Sequence, residues 1–188
     1  MTMADPLFSD PTAPSFDDPL GMLAACHRRI ERQLATLARL QRHLPEHGCD
    51  ADARAAARGI LRYFDAAAVN HHADEEDSVF PRLEDALPAR PVTLMAELED
   101  EHAALAVRWR KLRPLLAAIA AGQRANLPPK QVADIAAAYA AHIAREESQL
   151  IPLAARTFDA ATIARIGQEM ALRRGVDVAK AAHPLAQR

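Results

Sequence analysis

Two stretches of the chain carry histidine and glutamate at the same spacing. Residues 70–81 read NHHADEEDSVFP and residues 141–152 read AHIAREESQLIP. In each, a histidine is followed by a glutamate four residues later and by a proline ten residues later. Residues four apart on an α-helix lie on one face, one turn apart, so both can bind one metal cluster. Imidazole and carboxylate together suit iron, zinc or manganese. Each stretch therefore predicts one half of a metal site.

The rest of the chain predicts the helices that position these side chains. Alanine is abundant, glycine is scarce and no strand-like alternation of β-branched residues is present, which is typical of an all-α protein. Proline and glycine predict turns at 45–50 and 88–91 and a loop at 121–129. They leave four long helices at about 19–44, 51–87, 92–121 and 129–155. A fifth, shorter helix would be capped by Asp159 and end at Gly175.

Each long helix has an apolar seam with alternating spacings of three and four residues, the stripe that faces a bundle core. The seams comprise Leu23, Ile30, Leu34 and Leu37, then Leu61, Phe64 and Ala68, then Met95, Leu98, Leu105, Trp109, Leu112, Leu116 and Ile119, and then Val132, Ile135 and Tyr139. Polar residues interrupt every seam where a bundle normally has leucine. The interruptions are His27, His71, Glu75, His102, His142 and Glu146.

The turns place these six side chains at one height. In an up-down antiparallel four-helix bundle, residues equally far from a turn lie at the same level. The midpoint of His27 and His71 falls in the turn at 45–50, and that of His102 and His142 falls at Gly122. The midpoint of Glu75 and His102 falls near Pro88. The sequence therefore predicts one polar layer inside the core.

A metal explains such a layer better than the alternatives. A buried lone carboxylate costs several kcal/mol, and two of them in one layer also repel each other. Imidazoles offset this only when charged, which burial opposes. The alternatives are a hydrogen-bonded polar layer without metal, and an acidic surface. Surface exposure is the expectation for the acids outside the seams, namely Asp74, Glu76, Asp77 and Glu147.

The six donors are enough for two metal ions. If both glutamates bridge two ions, each ion gains two carboxylate oxygens and two of the four imidazole nitrogens. A bridging oxide or hydroxide then makes five ligands for each ion and leaves one position open. Such a site can bind a small diatomic molecule or a peroxide.

At these residues the chain resembles the hemerythrin-like, or HHE cation-binding, family. The resemblance covers about residues 20–155 and lies in LAACHRRI, HHADEEDSVFP, LEDEHAAL and HIAREESQLIP. It implies an up-down four-helix bundle with an oxo- or hydroxo-bridged non-haem di-iron centre. The metal ligands carried over are His27, His71, Glu75, His102, His142 and Glu146.

The third helix departs from the oxygen carriers of that family. They have His-x-x-x-His there, whereas this chain has Leu98 in the first position, and its fourth-helix acid is Glu146 rather than aspartate. Losing the fifth histidine removes the asymmetry between the two irons and disfavours reversible oxygen carriage. Glu99, close to His102 on the third helix, is expected at the surface, and the alternative is that it supplies a third carboxylate ligand. His72 becomes an alternative ligand only if the second helix is shifted by one residue.

We therefore expect a di-iron protein that binds or reacts with O2, peroxide or NO, in sensing or detoxification rather than bulk oxygen carriage. Any catalysis would be centred on the metal, since no separate acid–base residue stands out. Zinc or manganese remains an alternative metal. The alternative function is an iron-responsive regulatory module whose metal centre acts as a structural switch. A third interpretation is a metal-free or phosphotransfer bundle, but phosphotransfer needs an exposed histidine.

Composition predicts the remaining properties. A chain of 188 residues is long enough for one domain with a full core. A net charge of −2 and the lack of a basic stripe disfavour nucleic acid, and no apolar run is long enough for a membrane span. Without a signal-peptide pattern, and with only Cys26 and Cys49, the chain is expected to be cytoplasmic with reduced thiols. The expected segments are a tail at 1–18, the bundle at 19–156, and a short helix and tail at 157–188.

Overall fold

The computed structural model describes residues 15–87 and 92–176, and this part of the chain is all-helical. Its helices are α1 (Pro19–His47), α2 (residues 51–86), α3 (Val92–Ala120), α4 (residues 129–157) and α5 (Ala160–Arg173). Both α1 and α3 pack against α2 and α4, which gives the predicted four-helix bundle with an added C-terminal helix. The predicted turn at 88–91, most of the predicted N-terminal tail and the final twelve residues lie outside the described residues.

Aspartate side chains start three of the helices. Asp18, Asp50 and the predicted cap Asp159 each accept a hydrogen bond from the backbone N–H three residues on, at 2.8–2.9 Å. Such caps satisfy donors that have no partner within the helix. At the other end of α1, Gly48 adopts a φ of 65°, which suits glycine because it lacks a Cβ. The turn between α1 and α2 is shorter than predicted, because α1 continues through Pro45 to His47.

Helices α2 and α4 contain wide π-helical turns at Tyr63–Ala67, Glu75–Val79 and Glu146–Leu150. The last two begin at a predicted ligand and end two residues before a proline. A proline ring clashes with the carbonyl four residues earlier and has no N–H to donate. The wide turn accommodates this, because the preceding N–H bonds to the glutamate carbonyl five residues back. Neither Pro81 nor Pro152 ends its helix.

The apolar seams are buried as predicted, with two exceptions. Leu61 is only partly buried, and the core position next to it belongs to Ile60. The prediction assumed a regular helical period, whereas the wide turn at Tyr63–Ala67 changes the register of this part of α2. Trp109 is also only partly buried, because its indole N–H donates to Asp65 at 3.0 Å on the outside of the bundle.

The buried apolar residues form two clusters on either side of the polar layer. One extends from Ile30 to the end of the bundle that holds the α1–α2 turn. The other contains Leu23, Phe80 and Leu98 and also receives Ile166 and Met170 of α5. Because apolar clusters close both ends, the histidines and glutamates between them are shielded from solvent.

The C-terminal helix α5 lies close against the chain that leads into α1. An added Cβ at Gly167 would lie 1.8 Å from the carbonyl oxygen of Phe16, so this contact needs a glycine. Phe16 is itself half-buried against the second apolar cluster. Among the helices of the described residues, none combines the length and apolarity that a membrane crossing requires.

Candidate metal centre

The structure brings the six predicted ligands together in one buried layer. His27 comes from α1, the pair His71 and Glu75 from α2, His102 from α3, and the pair His142 and Glu146 from α4. All six are at most 4% exposed. The levels inferred from the turns are therefore correct, although the role of these side chains as ligands stays a prediction.

The ring nitrogens and carboxylate oxygens face each other across the layer. Glu146 lies nearest the histidines: its oxygens are 2.9 Å from His27 Nε2, 2.7 Å from His142 Nε2 and 3.6 Å from His102 Nε2. Glu75 lies 3.4 Å from His102 Nε2 and 3.8 Å from His71 Nε2. Four donors of one half, His27 and His71 with both glutamates, lie within 4.8 Å of one another, as do His102 and His142 with the same glutamates.

These buried atoms do not satisfy one another by hydrogen bonding within the described residues. The Nε2 atoms of all four histidines and the four carboxylate oxygens lack a hydrogen-bond partner there. Buried polar atoms are nearly always paired, because each unpaired one costs about 1–3 kcal/mol. Lone pairs that converge on a common point fit metal ions, and this donor set fits iron, zinc or manganese.

Acidic side chains outside the layer contact the Nδ1 atoms of three of the histidines, on the side of each ring away from the centre. His27 Nδ1 lies 3.1 Å from Glu147, His102 Nδ1 lies 2.6 Å from Glu76, and His142 Nδ1 lies 2.8 Å from Glu101. Such a carboxylate fixes the ring orientation and directs the other nitrogen, Nε2, to the centre.

The sequence analysis did not predict this role for the outer acids. For two of them, however, the rule that residues equally far from a turn lie at the same level does indicate which histidine they contact. The midpoint of Glu76 and His102 falls at residue 89, and that of Glu101 and His142 falls beside Gly122, both in predicted turns. Glu147 gives no such signal, because it pairs across α1 and α4, which no single turn joins.

Asp74 was expected at the surface, and that prediction is wrong. It is fully buried and accepts hydrogen bonds from Arg173 and Arg174 at the end of α5. The Arg174 guanidinium bonds both carboxylate oxygens, at 3.1 and 2.6 Å. A charge can be buried when it is paired and hydrogen-bonded in this way. The prediction failed because α5, whose docking site sequence spacing does not reveal, covers this face of α2.

Burial and neighbouring charges shift the pKa values of the layer in opposite directions. Burial raises the pKa of Glu75, and the nearby charge of Glu146 raises it further. Burial would also raise the pKa of Glu146, but the nearby imidazoles of His102 and His142 hold it well below its ordinary range. Burial lowers the pKa of His71 to about 3, since its nearest carboxylate is 3.8 Å away.

His102 and His27 shift the other way. Burial alone would lower the pKa of His102, but the nearby carboxylates of Glu146 and Glu75 outweigh it and raise the pKa to about 10. For His27, the nearby carboxylate of Glu146 likewise outweighs burial and raises the pKa. The metal-free layer therefore holds protons that a bound cation would have to displace.

Three side chains that the sequence left open now have defined positions. Leu98 lies fully buried in the second apolar cluster. Glu99 is exposed, as predicted. His72 is partly buried, and its ring stacks on His102 with centroids 3.9 Å apart. One ring nitrogen of His72 lies within 4.8 Å of ring nitrogens of His102 and His142.

Aromatic side chains lie on both sides of the layer. Phe64 lies 5.6 Å from Tyr139 and 4.8 Å from Trp109, between ring centroids, on the side of the first apolar cluster. On the side of the second cluster, the ring of Phe80 stacks on that of His102, with centroids 6.2 Å apart. These rings keep the layer in a low-dielectric surrounding, which strengthens electrostatic interactions inside it.

A four-helix bundle with buried histidines and glutamates in one layer defines a metal-binding helical protein. Residues 18–154 match the family model described as the hemerythrin HHE cation binding domain. The chain is also 32% identical over 162 residues to an uncharacterized protein of Haemophilus influenzae, a similarity that covers 86% of this chain and 93% of that protein. The chain belongs to the hemerythrin HHE cation-binding family.

Proposed function

We propose that this chain is a non-haem di-iron protein that binds or reacts with small oxidants, namely O2, peroxide or NO. The observation that carries the proposal is that Glu75 and Glu146 belong to both four-donor groups of the layer. Two carboxylates common to two pairs of histidines can bridge two ions. Each pair of histidines then supplies nitrogen ligands to one ion.

Iron is proposed as the resident metal because the family resemblance implies it, since the donor types alone fit iron, zinc and manganese. Bound iron would supply one-electron chemistry toward a small oxidant. The chain's own side chains orient the donors through Glu76, Glu101 and Glu147 and exclude bulk water through the two apolar clusters. Zinc and manganese remain alternatives with the same donors.

Sensing or detoxification is favoured over bulk oxygen carriage on two grounds. Leu98 packs in an apolar cluster where the carriers have a histidine, and Glu146 stands where they have an aspartate. In addition, Arg173 and Arg174 tie α5 to Asp74, the residue next to Glu75. Through these contacts, a change at the metal centre could alter the position of α5.

That second observation also supports an alternative function, an iron-responsive regulatory module. In this alternative, loss of metal would loosen α2 around Glu75, release α5 from Asp74 and change a surface that a partner protein reads. Cytoplasmic location, the lack of nucleic-acid or membrane binding, and the protein partner stay predictions of the sequence.

The test is to expose the ferrous, anaerobic protein separately to O2, peroxide and NO, and to follow its visible and electron paramagnetic resonance spectra. We expect changes with at least one of the three and none in the His71→Ala/Glu75→Ala double variant, which should lack the centre. His47→Ala, at an exposed histidine at the end of α1, is the matched control and should behave as wild type. An iron-loaded wild type that responds to none of the three would refute the oxidant chemistry. Loss of α5 protection from hydrogen exchange on chelation, without such a response, would favour the regulatory alternative.

A further inference from the structure

His72 is a histidine of the layer that the six-ligand set leaves without a role. Its Nε2 atom is shielded from solvent and has no hydrogen-bond partner within the described residues. One of its ring nitrogens lies within 4.8 Å of ring nitrogens of His102 and His142. Its ring stacks on that of His102 with an angle of 12° between the planes, so it must turn before both lone pairs can reach one ion. The closeness of the three ring nitrogens, rather than the stacking, suits a shared ion.

The geometry of α2 explains how two adjacent histidines can face one centre. Neighbouring residues on a helix point about 100° apart, so His71 and His72 can flank a central point on two sides. The ring of His71 lies 5.0 Å from that of His27, edge to face. The ring of His72 lies on the other side, 3.9 Å from His102 and 6.0 Å from His142. In this arrangement no shift of the helix by one residue is needed.

We propose that His72 is a seventh ligand, which binds the same metal ion as His102 and His142. The proposal rests on the two-metal centre proposed above. The ion held by His27 and His71 would then have two imidazole nitrogens and the other would have three. The ion held by His27 and His71 would therefore have one imidazole ligand fewer than the other, and it would be the ion with a position open to a small oxidant.

This assignment replaces the asymmetry that Leu98 removes. The additional nitrogen comes from α2 rather than from α3, so the centre is unequal although position 98 has no donor. An imidazole also suits the site because it adds a ligand without adding charge to a layer that already contains two carboxylates.

The test compares wild type with His72→Ala and His72→Phe after loading with isotopically enriched iron. The phenylalanine variant keeps a ring to stack on His102 but has no nitrogen. His47→Ala, an exposed histidine at the far turn, is the matched control. The measurements are iron content per chain, Mössbauer spectra and the rate at which a chelator removes each iron.

We expect two different iron environments in wild type and in the His47→Ala control. In both His72 variants the Mössbauer signal of one iron should change, and the chelator should remove that iron at least about tenfold faster. This is a lower bound, because even residues that only hydrogen-bond to a ligand change metal affinity by about tenfold to a hundredfold. Added imidazole should restore the wild-type spectrum in His72→Ala but not in His72→Phe, whose ring fills the space. A structural role alone would not give this rescue.

Three results would overturn the proposal. Spectra and removal rates of both variants equal to those of wild type would show that His72 is not a ligand. A third metal per chain, lost in the variants, would assign His72 to a separate site. Fewer than two irons in wild type would refute the di-iron function itself, which distinguishes that failure from the failure of His72 alone.

Discussion

Replacing Glu76 with glutamine should weaken metal binding, although Glu76 lies outside the layer that faces the metal. Its carboxylate lies 2.6 Å from Nδ1 of His102, a ring that is only 4% exposed. Glutamine keeps an oxygen acceptor but removes the charge that makes the imidazole a stronger donor to metal. The variant therefore tests the electrostatic part of the interaction and leaves the shape of the side chain nearly unchanged.

The size of the effect follows from the contact. Outer partners of ligating histidines change metal affinity by about tenfold to a hundredfold, or about 1.4–2.7 kcal/mol. Because the Glu76 side chain is 40% exposed, water screens part of its charge, and the lower end, about tenfold, is expected. Glu101 at 2.8 Å should have a similar or smaller effect, and Glu147 at 3.1 Å and 49% exposed the smallest of the three.

The assay is competition with a coloured chelator for Fe(II) under anaerobic conditions, repeated with Zn(II). Glu99→Gln is the control, because Glu99 is an exposed acid on α3 close in sequence to His102. The expected order of affinity is wild type and Glu99→Gln, then Glu147→Gln, Glu101→Gln and Glu76→Gln. Equal affinities in all five proteins would refute the reasoning that these acids orient and polarise the ligands.

Three further predictions concern other groups. Because the pKa of His102 is raised to about 10 in the metal-free protein, its ring is protonated at pH 7 and metal binding must release that proton. The metal affinity should therefore rise about tenfold per pH unit between pH 6 and 8 for each proton released. A pH-indicator titration that detects no proton release would contradict this. Arg174→Ala should lower the free energy of unfolding by about 1–2 kcal/mol, since the buried Asp74 keeps Arg173 as a partner, while Arg174→Lys should lose less in the same denaturant titration. A thiol reagent should modify Cys49 quickly and Cys26 only on unfolding, because Cys26 is buried and burial raises the pKa of its thiol; equal rates in the native protein would argue against that burial.

Much of the fold and layer could be predicted because the relevant signals are periodic. Helical spacing identified the polar interruptions of the apolar seams, and equal distance from the turns brought His27 to the level of His71 and His142 to that of His102. Both rules need only a regular helix and a short connection. They therefore succeeded for the seams of α1 and α3, while Asp159 could be predicted as the cap of α5 from its residue type.

The remaining features depend on departures from regularity or on contacts between distant segments. Ile60 rather than Leu61 occupies the core because a wide turn changes the register of α2, and no proline follows that turn to mark it in the sequence. The burial of Asp74 depends on α5, which is about 100 residues away along the chain. The position of His72 beside His102 depends on where neighbouring helices place their rings, which the seam pattern of one helix does not determine.

The central claim is that two carboxylates shared by two groups of histidines hold a pair of iron ions. The most direct test is the metal content per chain of protein purified with iron available, together with its visible spectrum before and after peroxide. We expect about two irons per chain and the charge-transfer bands of a bridged ferric pair, as for a bundle di-iron site. One metal per chain, zinc alone or no metal would contradict it.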